Sequence, residues 1–184
     1  MTFTPLNIEG VWLHTPKVWP DDRGKFHEVF KLSSIAKQLG RDFHVKQVNQ
    51  STSVAGVIRG IHWTDSPEGQ AKYVSCPKGS IWDVVVDLRQ DSTTYGRWDA
   101  RILSEQNGES LLISEGIGHA FLALENGTVA NYLCSSEFNP DADKTINPLD
   151  SQLAIEFLAK AKEFGIVDLK LSPKDTEGAA FQPK

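Results

Sequence analysis

Ala71-Lys72-Tyr73-Val74-Ser75-Cys76-Pro77-Lys78-Gly79-Ser80-Ile81-Trp82-Asp83-Val84-Val85-Val86-Asp87-Leu88 sets two short runs rich in β-branched and aromatic side chains on either side of a Pro-Lys-Gly turn. Such runs read as two strands, Ala71 to Cys76 and Ile81 to Leu88, paired antiparallel. The same pattern extends in both directions. Val45 to Val48, Val57 to His62, Trp98 to Leu103, Leu111 to Ile113, His119 to Leu124 and Thr128 to Cys134 are further short runs. Gln106-Asn107-Gly108 and Glu125-Asn126-Gly127 are turn signals between them. Spacing this close leaves almost no room for crossover helices, so the pattern predicts an all-β fold, a single barrel or jelly roll.

Helix is confined to the flanks. Ser33 to Gly40 combines a Ser cap, apolar periodicity and a closing glycine, which predicts one short helix. Leu153 to Phe164 reads equally as helix, from its Ala and Lys content, or as the start of a strand after Pro148-Leu149-Asp150. No repeat, low-complexity stretch or linker divides residues 1–184, which predicts one domain.

The 184 residues suffice to bury a substantial core. With 40% hydrophobic and 23% charged residues, a net charge of -5 and no block of like charges, the chain is not expected to hold nucleic acid or a membrane surface by bulk electrostatics. A single anionic ligand gripped by a few placed cations stays compatible with that balance. No run of about 18 apolar residues exists, so no membrane-spanning helix is predicted. Met1 to Gly10 has neither the basic nor the apolar region of a signal peptide. Cys76 and Cys134 lie far apart without metal-ligand spacing, and read as reduced thiols packed in strands of a cytoplasmic protein.

Four segments concentrate reactive side chains. Arg59 and His62 share a strand interrupted by Gly60, an arrangement expensive for sheet packing. Alternation puts Gln70 and Lys72 on one face of their strand and Ala71 and Tyr73 on the other. Glu115-Gly116-Ile117-Gly118 leads directly into His119, and Tyr132 sits in an otherwise apolar strand. Each has a bland explanation in packing or solvation when taken alone. Metal centres in small β-barrels use a His-x-His pair, a nearby Glu and a later His, whereas Thr64 stands two positions after His62. No metal and no other cofactor is therefore expected. What remains is a base, His62, an acid, Tyr132, and a fixed cation, Lys72. Base and acid on opposite faces of a sugar ring, with an ammonium beside the carbonyl, invert a stereocentre next to a ketone.

In order along the chain stand Asp22-Arg23-Gly24-Lys25-Phe26-His27-Glu28, Gln47-Val48-Asn49, Val57-Ile58-Arg59-Gly60-Ile61-His62, Ala71-Lys72-Tyr73-Val74, Trp82-Asp83-Val84-Val85-Val86-Asp87, Tyr95-Gly96-Arg97-Trp98, Glu115-Gly116 with His119-Ala120-Phe121, and Tyr132. Together they resemble the dTDP-4-dehydrorhamnose 3,5-epimerase family. The likeness runs from about Val11 to Asp150 and resumes at Leu171-Ser172-Pro173-Lys174-Asp175.

The resemblance implies a cupin-type jelly-roll barrel with short flanking helices, a homodimer, no metal, and dTDP-4-dehydro-6-deoxy-D-glucose as substrate. It assigns His62 as base, Tyr132 as acid, Lys72 as stabiliser of the enolate and Asp175 as the carboxylate paired with the base. It assigns Arg23, Phe26, Glu28, Gln47, Asn49, Arg59, Lys72, His119, Phe138, Asp143 and Lys174 to nucleotide or sugar contacts. The segment with Arg23 and Glu28 is expected to exchange into the partner's site. Phe138 stands where the family commonly has tyrosine, Asp143 where it has glutamate, and Trp63 where a smaller aromatic is usual. Leu158 to Asp168 lacks the family's Trp-Pro neighbourhood. These departures leave room for a mono-epimerase acting at C3 or C5 alone. A 3,4-ketoisomerase would favour the His-x-His pair that Thr64 breaks. A non-catalytic sugar-nucleotide-binding protein would be expected to lose His62, Lys72 or Tyr132, all of which are present.

Overall fold

A computed structural model describes residues 1–65 and 69–184. In chain order the strands are β1 (Thr2–Pro5), β2 (Val11–Thr15), β3 (Val18–Asp21), β4 (Gly24–His27), β5 (Gln47–Ser53), β6 (Ile58–Thr64), β7 (Lys72–Lys78), β8 (Ser80–Asp87), β9 (Trp98–Ser104), β10 (Ser110–Ile113), β11 (Ile117–Ala123), β12 (Thr128–Cys134) and β13 (Asp143–Thr145). Three helices flank them: α1 (Leu32–Leu39), α2 (Phe157–Glu163) and α3 (Pro173–Thr176). One sheet runs β1-β2-β10-β7-β12-β5 and the other β13-β6-β11-β8-β9, with every pair antiparallel. This is the all-β jelly-roll architecture that the strand spacing predicts.

Alternation along each strand decides what the sheets enclose. Val74 and Cys76 of β7, Ile81 and Val85 of β8, Leu103, Leu111, Phe121 and Ala130 meet between the sheets. Val84, Val86 and Trp82 face the other way, under Leu153, Ile155 and Phe157. On the opposite sheet, Ile35 of α1 and Phe43 cover Tyr73 and Leu112. Both faces of β8 are thus buried, which is why it reads as a nearly continuous apolar run. The ambiguous stretch from Leu153 resolves into turns followed by α2. Phe157 is buried edge-on against Trp82 at 5.2 Å, a burial worth about 1.5–3 kcal/mol.

Three expectations need correction. First, the first helix begins at Leu32 with Lys31 at its N-cap and no side-chain cap, so Ser33 lies inside its first turn. Its end is as expected, with Gly40 in the left-handed conformation at φ 70. Second, the strand expected at Val45 to Val48 lies instead at Gln47–Ser53. Its polar run hides it from a hydrophobic pattern because its inward positions face a polar cavity rather than a core. Third, four strands precede those the pattern predicts. β1 and β2 extend the first sheet, while β3 and β4 form a separate exposed hairpin with Trp19 against Phe26 at 5.8 Å.

Candidate active site

β6 pairs with β11, with Arg59 opposite Phe121 and His62 opposite His119. Three steps on β6 therefore span two on β11, so β6 carries an extra residue, a bulge. In a regular strand, side chains three apart point to opposite faces. The bulge undoes that alternation and turns both Arg59 and His62 into one cavity. Gly60 makes it possible, because its φ is +116 and a Cβ there would lie 2.5 Å from the His119 carbonyl oxygen.

The cavity has a volume of about 330 Å³. It is lined by His62, Lys72, Tyr132 and Asp175, together with Asn49, Arg59, His119, Phe138, Asp143 and Lys174. His62 Nε2 lies 2.6 Å from Asp175 Oδ1, so the C-terminal α3 reaches back across the molecule to this imidazole. Asp175 is fixed from its own side as well. Ser172 Oγ donates to Asp175 Oδ2 at 2.7 Å and accepts from the Asp175 amide at 3.1 Å, capping α3. Burial raises the Asp175 pKa, but the hydrogen bonds from His62 and Ser172 outweigh it and hold the carboxyl below its usual range.

Lys72 is 9% exposed, and its Nζ donates to the His62 carbonyl oxygen at 3.3 Å. Burial lowers its pKa, opposed by Cys134, Asp143 and Asp83. His119 is anchored from beneath by Asp83 Oδ2 at 2.9 Å, with both side chains buried. Burial pushes the Asp83 carboxyl upward against the opposing pull of His119. The Tyr132 ring stands edge-on to His119 at 5.7 Å and tilted against Phe121 at 6.4 Å. Burial raises its pKa, so its phenol stays protonated through neutral pH and is equipped to give a proton rather than take one.

Gln47 lies beside the cavity, not on its wall. It donates to Asn49 Oδ1 at 2.8 Å and accepts from the Phe138 amide at 2.7 Å, so it positions two lining residues. Lys174 forms an ion pair with Asp143 at the mouth. Arg23, Phe26 and Glu28 belong to the exposed hairpin and its end, outside this cavity. The Arg23 side chain is 85% exposed and paired with Asp21. Ser51, Gln70, Phe121, Cys134 and Ser172 also line the wall, although no role was assigned to them from sequence. The sequence carried no signal for Ser51, because Gln47 to Ser53 is polar at every position except Val48 and no alternation picks out one face. Trp63, the residue after His62, packs against the core on the far side of the sheet.

A family model described as dTDP-4-dehydrorhamnose 3,5-epimerase matches residues 5–183. A Mycobacterium tuberculosis dTDP-4-dehydrorhamnose 3,5-epimerase is 43% identical over 83% of this chain and 75% of its own length. A Streptomyces niveus dTDP-4-dehydrorhamnose 3-epimerase is 44% identical over 85% of this chain and 76% of its own. Among solved structures, the 3'-monoepimerase ChmJ of Streptomyces bikiniensis, in complex with dTDP-quinovose, superposes with a TM-score of 0.87 at 40% identity. That match covers 96% of this chain and 86% of the other.

Proposed function

The chain belongs to the dTDP-4-dehydrorhamnose 3,5-epimerase family, and from that premise we propose that it epimerises dTDP-4-dehydro-6-deoxy-D-glucose at C3 and C5 to dTDP-4-dehydro-L-rhamnose. The observation that carries this reading is the grouping of a carboxylate-held imidazole, a buried ammonium and a phenol around one cavity. The free ring nitrogen of His62 removes the proton beside the C4 ketone, and Asp175 favours the imidazolium that results. The C–H electron pair moves onto the ketone oxygen, where Lys72 meets the developing charge. One donor so placed contributes about 3–4 kcal/mol. Tyr132 then delivers a proton to the opposite face, and general acid–base transfer adds about 10²–10⁴-fold.

The donor set favours proton transfer without a metal. His62 is committed to Asp175, Thr64 stands where a His-x-His pair would close, and among the described residues no cluster of three potential ligands exists. Arg59 and Lys174 suit the diphosphate, arginine through its planar fork.

Two further parts of the reading concern assembly and place. The hairpin carrying Arg23 and Phe26 serves the second protomer of a homodimer. Its aromatic pair is exposed at 42% and 66%, and its arginine does not line the cavity that holds His62. The buried free thiols Cys76 and Cys134 support a cytoplasmic location, which cell fractionation would check.

Proton NMR of the protein with dTDP-4-dehydro-6-deoxy-D-glucose in D₂O, with a chelator present, tests the reaction. Deuterium is expected at both C3 and C5. Incorporation at one carbon alone would make the enzyme a mono-epimerase, as in the Streptomyces relatives, and would implicate Phe138 and Asp143. No incorporation would remove the assignment.

A further inference from the structure

Tyr132 projects from β12 with its ring held by His119 and Phe121, and its hydroxyl lies 3.3 Å from Ser51 Oγ. Ser51 is on β5, where it pairs with Ala130 while Tyr132 pairs with Asn49. Ser51 and Tyr132 are therefore diagonal neighbours on one face of an antiparallel pair, the geometry in which side chains two steps apart still touch. Both line the cavity that holds His62 and Lys72. A distance of 3.3 Å is long for a hydroxyl pair, as catalytic hydrogen bonds often are before substrate arrives.

An acid at this position has two needs. Its own hydrogen must point at the substrate carbon, and the phenolate left behind must be stabilised in a pocket where burial already opposes it. A neighbour that accepted the phenolic hydrogen would defeat the first need. A neighbour that donates to the phenolic oxygen meets both. The Ser51 hydroxyl can turn either way, and among the described residues its side chain makes no other hydrogen bond. Arg59, the nearby cation, is occupied through Nε with Ser53 Oγ at 3.2 Å.

We propose that Ser51 is the positioning residue of the proton-delivery half of the site: its hydroxyl donates to the Tyr132 oxygen and leaves the phenolic hydrogen free for the substrate. In the delivery step the Tyr132 O–H bond breaks and a C–H bond forms at the enolate carbon. The ketone is restored, and the phenolate keeps the Ser51 hydrogen bond until solvent reprotonates it. This rests on the assignment of Tyr132 as acid made above.

The experiment measures deuterium wash-in to substrate and formation of epimerised product side by side in D₂O. Wild type, Ser51→Ala, Ser51→Thr, Tyr132→Phe and the Ser51→Ala/Tyr132→Phe double variant are compared. Ser51→Ala is expected to keep wash-in within about threefold while product formation falls about 10–100-fold, the loss of one hydrogen bond to a charged group. Ser51→Thr, which keeps the hydroxyl, is expected to restore most of the product. In the Tyr132→Phe background, Ser51→Ala is expected to cost nothing more, since the two act as one unit. Equal loss of wash-in and product in Ser51→Ala, or an additive effect in the double variant, would overturn the role of Ser51 alone. If Tyr132→Phe loses wash-in and product in step, the acid assignment fails and the proposal for Ser51 fails with it.

Discussion

Lys72 carries its ammonium into the wall between the sheets, 9% exposed, with the His62 carbonyl as acceptor 3.3 Å away. A strand residue at that position would pack more favourably as an apolar side chain, because burial disfavours the charged form. Its pKa is accordingly lowered from 10.5, the only relief coming from Cys134, Asp143 and Asp83. The unfolded chain keeps the ordinary value, so folding is penalised wherever the unfolded lysine is charged and the folded one resists charge. That penalty is full below the folded pKa and disappears as pH rises to the unfolded value. Lys72→Met is therefore expected to be more stable than wild type in urea unfolding at pH 7, with the advantage shrinking toward pH 10.5. The same variant should lose about 10²–10³-fold in kcat, the cost of one oxyanion donor. A variant both less stable and fully active would contradict this account of the site.

At the scale of elements, the site depends on the irregularity of β6. Gly60→Ala would drive a methyl group to 2.5 Å from the His119 carbonyl oxygen and 2.7 Å from Ala120, forcing β6 away from β11 between the two histidines. The expected cost is about 2–4 kcal/mol from overpacking and backbone strain. A displacement of His62 by about 1 Å would lower activity about 10²-fold in whatever folds. Gly127→Ala is the control. Gly127 has a similar positive φ of 75 but nothing within 4 Å, so it should cost only about 1 kcal/mol and leave kcat intact. Equal effects from the two variants in thermal unfolding and kinetics would mean the close approach at Gly60 is unimportant. The bulge also marks the limit of sequence reading. A glycine between Arg59 and His62 was visible as an anomaly, and the seven strands from β6 to β12 were legible because their apolar faces meet a core. The extent of β5 was not, since Asn49, Ser51 and Ser53 face a cavity or its rim and break the expected alternation. The approach of Asp175 to His62 joins residues 113 apart in sequence, a contact that no local periodicity encodes and only the family resemblance supplied.

The whole molecule presents a cavity lined by His62, Lys72, Tyr132 and Asp175, and an arm that does not line it. Among the described residues, β3 and β4 join neither main sheet, and the Arg23 side chain at their turn pairs with Asp21 alone. A two-stranded hairpin in water is marginal by itself; this one is tied to its own chain by Lys25, whose Nζ donates to the Glu105 and Gln106 carbonyl oxygens, while Trp19 and Phe26 stay exposed. A second copy related by two-fold symmetry would present the same arm in return, which makes the contact reciprocal. Each site would then combine His62 of one protomer with the arm of the other. Two inactive proteins can reveal this arrangement. Arg23→Ala damages the arm, His62→Ala damages the cavity, and each alone is expected to form dimers with little activity. Refolded together in equal amounts, half the dimers are mixed, and in each the intact His62 cavity receives the intact arm. About a quarter of wild-type activity should return, with its rate set by subunit exchange. If sedimentation shows mixed dimers and no activity returns, the arm serves its own chain; if the proteins sediment as monomers, the reciprocal arrangement is excluded outright.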